Sequence, residues 1–353
     1  MRSRQIFLGT LAIGGGAPVS IQSMCDTDTA DSSACLAQIE RLAKLGCQIV
    51  RLAIPDQAVL PSFARVCAQS PLPVVADIHY DYRLALGALE AGADGLRLNP
   101  GNISEPDKVS LVAKECARLG KTVRIGVNTG SLERKIEAEL GRGPEAMVAS
   151  ALAYIDIFER QGCHNLKVSL KSSDLKTSVQ AAHLFASKSE LPLHLGITEA
   201  GSLRSGMLKS AIGIGALLLE GIGDTIRVSL SAPPEEEVKL AKQILAAVGL
   251  RHDRPELISC PTCGRTQIRL LPIVEAVENL LDELENAGKH LPWRKIAVMG
   301  CSVNGPGEAR EADIGMAGGK GKAVIFEQGK ITMSLPENEI LPVFLQKIRE
   351  AAR

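Results

Sequence analysis

Cys260 and Cys263 form a C-x-x-C pair in ISCPTCGR, and a third cysteine, Cys301, opens the glycine- and proline-rich turn CSVNGPGEA. Three thiols from two loops are one short, because zinc and iron–sulfur sites usually take four protein ligands. A zinc ribbon needs a second cysteine pair or a Cys-His pair, and none follows Cys301. His290 precedes Cys301 across a predicted strand and competes only weakly. Glu308, held near Cys301 by Gly305, Pro306 and Gly307, is the economical fourth ligand. A carboxylate bond to iron is displaced more easily than a thiolate bond, so such a set leaves one iron open to substrate.

A second group of chemistry-bearing residues lies upstream, at two-residue steps: Asp77 and His79, Arg97 and Asn99, Arg124 and Asn128 across Gly126, Ser169 and Lys171, and Arg227, Ser229 and Ser231. Side chains two apart in a strand share a face. Arg51 and Glu199 hold comparable places near the ends of their runs. Burying cations without anions costs on the order of several kcal/mol each, and these runs supply chiefly Asp77 and Glu199 as counter-charges. The pattern points to a bound polyanion, most simply a diphosphate gripped by guanidinium forks. The glycines around Gly213 and in GGKGK lack a P-loop's spacing and read as tight turns.

The runs that must position these groups are VSIQSM, IVRLAI, VVADIH, GLRLNP, VRIGVN, LKVSLK, LHLGITE and TIRVSL. Between them lie amphipathic stretches such as SSACLAQIERLAKLG, where Leu36, Ile39, Leu42 and Ala43 mark one face and Gly46 supplies the stop. Eight such units in about 250 residues predict an α/β fold, a (β/α)8 TIM barrel over 1–250, with the polar face at the C-terminal mouth of its strands. Past EEEVKLAKQILAAVG the alternation ends and LRHDRPE reads as a linker. A helix LPIVEAVENLLDELENAG, a strand KIAVMG, a hairpin KAVIFEQGKITMSL and a terminal helix predict a small α+β domain over 251–353.

Bulk properties narrow the function. In 353 residues, forty basic side chains balance forty acidic ones, so no global field draws the chain to nucleic acid or an anionic membrane. The nine cysteines are odd in number and sparse, which fits a reducing cytoplasm; Cys25, Cys35, Cys47, Cys67, Cys116 and Cys163 read as packing residues. The N-terminal apolar run is short and broken by Gly9 and Thr10, so it reads as a hairpin before the first strand and not as a signal peptide. No segment approaches the ~20 apolar residues of a membrane-spanning helix.

The whole chain resembles the bacterial 4-hydroxy-3-methylbut-2-enyl diphosphate synthases, the IspG or GcpE family, through GGGAPVSIQSM, TDTAD, VVADIHYDYRLAL, LRLNPGNI, VRIGVNTGSL, GITEAG, ISCPTCGR and GCSVNGPGEA. The resemblance implies one [4Fe-4S] cluster per chain on Cys260, Cys263, Cys301 and Glu308. It also implies reductive opening and dehydroxylation of 2-C-methyl-D-erythritol 2,4-cyclodiphosphate. Arg51, Arg97, Arg124 and Lys171 would then hold the diphosphate, with hydrogen bonds from His79, Asn99, Asn128 and Ser229. Asp77 would fix the pocket and Glu199 would handle a proton. With no flavin or nicotinamide fingerprint, flavodoxin or ferredoxin is the implied donor. A head-to-tail homodimer is implied too, and it suits the chain direction, since the eighth helix of a barrel ends opposite the mouth. On the residues alone, a cofactor-free aldolase using Lys171 and a zinc-bearing binding module stay open.

Overall fold

A short hairpin, β1 (Ile6–Leu8) and β2 (Leu11–Ile13), opens the chain in the computed structural model, which describes residues 3–301 and 311–353. Gly9, at φ +58°, makes its turn. Eight parallel strands follow: β3 (Ser20–Met24), β4 (Ile49–Ala53), β5 (Val74–Asp77), β6 (Gly95–Leu98), β7 (Thr122–Asn128), β8 (Leu166–Lys171), β9 (His194–Leu195) and β10 (Thr225–Ile226). They pair in the order β8-β7-β6-β5-β4-β3-β10-β9, and a bridge from Val168 to Leu193 closes the ring. The first compact unit, 1–250, is therefore a TIM barrel.

Helices α1 (Ser32–Lys44), α2 (Leu60–Gln69), α3 (Tyr82–Glu90) and α4 (Pro106–Leu119) cover one side. A short mouth helix, α5 (Arg134–Leu140), precedes α6 (Pro144–Arg160), α7 (Leu175–Ala186), α8 (Leu203–Leu219) and α9 (Pro234–Ala247). Asp31, Asp81 and Asp174 cap α1, α3 and α7 by accepting backbone N–H bonds, which starts each helix at the mouth. Outward-facing Val50, Ala76, Leu96, Ile125 and Val168 pack under the helices. On the inner side Ile6, Leu8 and Ile13 of the hairpin meet Ile49 and Val75 and form an apolar floor.

Two strands are shorter than predicted. LHLGITE and TIRVSL each keep only two residues in regular pairing; just past them the backbone of Gly196 lies close to Arg227, where a Cβ would stand 2.4 Å from the Arg227 carbonyl oxygen. Gly213 and Gly215 lie inside α8 and not in a turn. Gly213 is small there because Leu175 and Ile197 press on it, each within 2.7 Å of where a Cβ would stand.

The second unit, 251–353, has a sheet ordered β11 (Glu256–Ser259), β12 (Lys295–Met299), β13 (Ile314–Gly319), β14 (Lys322–Glu327) and β15 (Lys330–Pro336). The first three strands are parallel and the last two antiparallel. Helix α10 (Leu270–Asn286) and the terminal helix Glu337–Ala351 cover one face through Ile273, Val277, Leu281, Ile340 and Phe344. Strand β13 escaped the sequence reading because glycines dilute its apolar pattern; Gly315 yields space to the Phe326 ring, 2.3 Å from a virtual Cβ. Among the described residues, no helix is long and apolar enough to cross a membrane.

Candidate functional site

The predicted two-residue steps converge inside the barrel. Register places Asp77 beside Arg97, Arg97 beside Arg124, and Gly126 and Asn128 beside Ser169 and Lys171. Asp77, 3% exposed, anchors the group: Arg97 Nη1 donates to it at 3.3 Å, while Arg51 Nε lies at 3.6 Å and His79 Nε2 at 3.7 Å. Burial works against the Asp77 charge, yet Arg51 and then Arg97 outweigh it and hold the carboxyl below its ordinary range.

Around this one carboxylate the cations are crowded. Arg124 is buried, donates from Nη1 to Ser169 Oγ at 3.2 Å, and has no partner for Nε or Nη2 among the described residues. Burial, then Arg51 and Arg97, drive its pKa down; burial, then Arg124 and Arg227, do the same to Lys171. Glycines make room for these side chains. A Cβ on Gly126 would stand 3.0 Å from Arg97 Nε, and one on Gly196 would stand 2.7 Å from Lys171 Nζ.

The other predicted residues take several places. Asn99 braces loops, donating to Ser131 Oγ at 2.7 Å and accepting from Gly101 N at 3.0 Å. Asn128 is half-buried at the end of β7. Ser229 accepts from Arg227 Nη1 at 2.8 Å. Glu199 is exposed and sits at φ +51°, a left-handed conformation that non-glycine residues adopt at some expense.

Three further buried groups belong to this interior. Lys167, in register with Arg124, has an Nζ without a partner among the described residues, and burial pushes its pKa down to about 7. His194 bonds Thr225 Oγ1 through Nδ1 at 2.8 Å and is held neutral by burial and then by Arg124. Glu237 reaches from α9 to Arg227. Lys167 and His194 were legible as further two-residue steps, from Ser169 and Gly196; Glu237 was not, since acidic residues are ordinary at a helix start.

In the second unit, parallel pairing of Ser259 with Val298 brings Cys260 and Gly300–Cys301 to the same end of the sheet. The Gly300 N–H donates to Cys260 Sγ at 3.1 Å. A Cβ on Gly300 would crowd Thr266 Cγ2 at 3.0 Å and Cys260 Sγ at 3.5 Å, so the turn is built close around the sulfur. Cys263 N donates to Thr266 Oγ1 at 3.0 Å and Gln267 N to the Gly300 oxygen at 2.8 Å, tying the two cysteine loops together. Glu308 lies outside the described residues. Among those described, no three His, Cys, Asp or Glu side chains close around a single ion. An iron–sulfur cluster asks for something different, one thiolate per iron with N–H donors to sulfur, and this corner supplies thiols and such a donor. The six barrel cysteines are packing residues; burial pushes the Cys47 and Cys163 thiols up to about 11.

Two family models match the chain: the GcpE TIM-barrel domain over 3–242 and the GcpE protein C-terminal domain over 256–350. A protein of Geobacter sulfurreducens named 4-hydroxy-3-methylbut-2-en-1-yl diphosphate synthase (flavodoxin) is 49% identical over 99% of this chain and 98% of its own. One of the same name from Maridesulfovibrio salexigens is 48% identical over 98% and 96%. Among solved structures, the N-acetylneuraminic acid synthetase of Leptospira borgpetersenii matches with a TM-score of 0.51 at 16% identity, covering 79% of this chain and 96% of its own. The dihydropteroate synthase of Yersinia pestis matches at 0.50 and 15%, covering 69% and 96%. These two share the barrel fold alone.

Proposed function

This chain belongs to the GcpE family, and from that premise we propose a cytoplasmic iron–sulfur enzyme, fed by flavodoxin, whose substrate lies in the cation-lined barrel. The reaction converts 2-C-methyl-D-erythritol 2,4-cyclodiphosphate to (E)-4-hydroxy-3-methylbut-2-enyl diphosphate, a step of the methylerythritol phosphate route to isoprenoids. Two electrons enter, one C–O bond of the ring breaks to leave a terminal diphosphate, and one hydroxyl departs with a proton as water.

The observation that carries the reading is the surplus of buried and half-buried cations in the barrel interior. Arg51, Arg97, Arg124, Lys171 and Arg227 face Asp77 and Glu237 alone as close carboxylate partners among the described residues. Ring opening frees a phosphate oxygen and adds negative charge, and fixed cations at that point lower the barrier as well as binding the ring. His79, Asn128 and Ser229 would add hydrogen bonds to the sugar or phosphates, with Asn99 and Asp77 holding the walls. Glu199, exposed at its strand end, would pass the proton to the departing oxygen.

Cys260, Cys263 and Cys301 would hold a [4Fe-4S] cluster, with Glu308 as the fourth ligand. When bound, that cluster supplies low-potential electrons one at a time and a Lewis-acidic iron. Helix α9 ends opposite the barrel mouth, where Leu250 lines the same floor-side cavity as Gly16 and Gly221. A head-to-tail homodimer, each cysteine domain capping its partner's barrel, fits that chain direction.

Metal analysis and turnover of anaerobically purified protein test this function. About four irons and four sulfides per chain, with product formed on reduced flavodoxin, are expected. Stoichiometric zinc without turnover would overturn the reading in favour of a binding module. Borohydride trapping of a carbonyl substrate on Lys171 would replace it with an aldolase.

A further inference from the structure

Three consecutive glutamates, Glu235, Glu236 and Glu237, begin α9, where carboxylates suit the helix dipole. The structure separates them. Glu235 pairs with Arg41 at 3.1 Å and Glu236 with Lys239 at 2.7 Å, both in solvent-accessible positions. Glu237 is 4% exposed and turns inward, its two carboxylate oxygens 3.3 and 3.2 Å from Arg227 Nη2. The dipole needs no such burial, and desolvating a carboxylate is unfavourable unless its partner repays it.

Arg227 has reason to need that partner. It is half-buried near Arg51, and its charge also bears on Arg124 and Lys171. Its fork is divided: Nη1 donates to Ser229 Oγ at 2.8 Å, Nη2 faces Glu237, and Nε has no partner among the described residues. Without a fixed anion behind it, repulsion from the neighbouring cations would favour other rotamers. Glu237 Oε1 also accepts the Leu230 N–H at 2.9 Å. The next residue, Ser231, donates its N–H to the Gly201 oxygen at 3.0 Å, in the loop that carries Glu199.

We propose that Glu237 is a positioning residue for the substrate pocket, holding Arg227 and the segment after it so that Arg227 Nε and Ser229 are presented to the diphosphate. The proposal rests on the diphosphate-binding reading above. It assigns work to a side chain on an outer helix that does not itself touch substrate.

A double-mutant cycle in the full-length, cluster-loaded enzyme tests it, with affinity for the cyclodiphosphate read by titration and kcat and KM read separately. Arg227→Ala should weaken binding about ten- to a hundredfold, the scale of hydrogen bonds to a charged group. Glu237→Gln, which keeps the size and the acceptor for Leu230, should weaken binding by a smaller factor and raise KM more than it lowers kcat. In an Arg227→Ala background the same Glu237→Gln change should have almost no further effect on affinity. Should Glu237→Ala fail to fold, Glu237→Gln alone still carries the cycle. Equal affinity loss from Glu237→Gln with and without Arg227, or a lower melting temperature with affinity untouched, would overturn the positioning role. If Arg227→Ala itself leaves affinity unchanged, the fault lies with the diphosphate reading of this pocket.

Discussion

Asp77 and the cations around it form an arrangement that is strained until an anion arrives. Arg124 and Lys171 are held below their ordinary pKa first by burial and then by other cations. A bound diphosphate opposes that shift at Lys171, while the guanidinium of Arg124 keeps its proton throughout, so substrate binding should favour the protonated Lys171 and affinity should fall as pH rises. Titrations in buffers of different ionisation enthalpy measure proton uptake on binding; none, at any pH, would mean that Lys171 does not meet the phosphates. Arg124→Ala or Lys171→Ala should each weaken binding by a few kcal/mol, since buried phosphate charge is then less well paired. Lys167 makes a separate prediction. Its pKa of about 7 lies below the ordinary 10.5, so between those values the unfolded chain binds more protons and stability rises with pH. Lys167→Met should therefore stabilise the ligand-free barrel most below pH 7 and progressively less toward pH 10.5. Melting temperature reports it, at about 2–4 °C per kcal/mol for a domain this size.

Between residue and fold, the strands contribute as much by what they omit as by what they carry. Gly126 and Gly196 face the interior because the Arg97 guanidinium and the Lys171 ammonium occupy the space a Cβ would take. The two sites differ in what must yield. At Gly126 the nearest atom belongs to a flexible side chain at 3.0 Å; at Gly196 it is the Arg227 backbone oxygen at 2.4 Å. Gly126→Ala should therefore fold with a near-normal melting temperature yet bind substrate about tenfold more weakly, through a displaced Arg97. Gly196→Ala should destabilise the barrel itself, because β9 and β10 would have to part. Thermal melts alongside titrations distinguish them, and similar stability in the two variants would contradict this assignment of the close contacts.

For the whole molecule, the proposed dimer predicts that each active site draws on two chains. Cys263→Ser leaves the barrel intact and Lys171→Ala leaves the cysteine loops intact. Mixed under conditions that exchange subunits, the two inactive variants should regain activity, because some sites then combine a sound barrel with a sound cluster. Mixed dimers that demonstrably form and stay inactive would place the whole site within one chain.

Much of this protein was legible before any coordinates. Alternating apolar runs and amphipathic stretches are local signals, so the count of eight strands and the barrel followed from spacing, and the inward polar set from Asp77 to Lys171 from spacing together with the shortage of carboxylates to pair its cations. The cysteine motifs were equally plain as motifs, because a C-x-x-C pair and a glycine- and proline-rich turn are each defined within a few consecutive residues. Contacts between distant segments were not legible. Nothing local separates Glu237 from Glu235 and Glu236; only the packing of α9 on the barrel, chiefly against β3, buries one of the three on Arg227. The glycine-rich β13 and the truncated β9 and β10 were obscured for a related reason, since a glycine records the shape of a neighbour that is remote in the chain. Which donors stay unpaired among the described residues also emerges only when the barrel closes, because burial, charge and partner are properties of the assembled interior and not of any one strand.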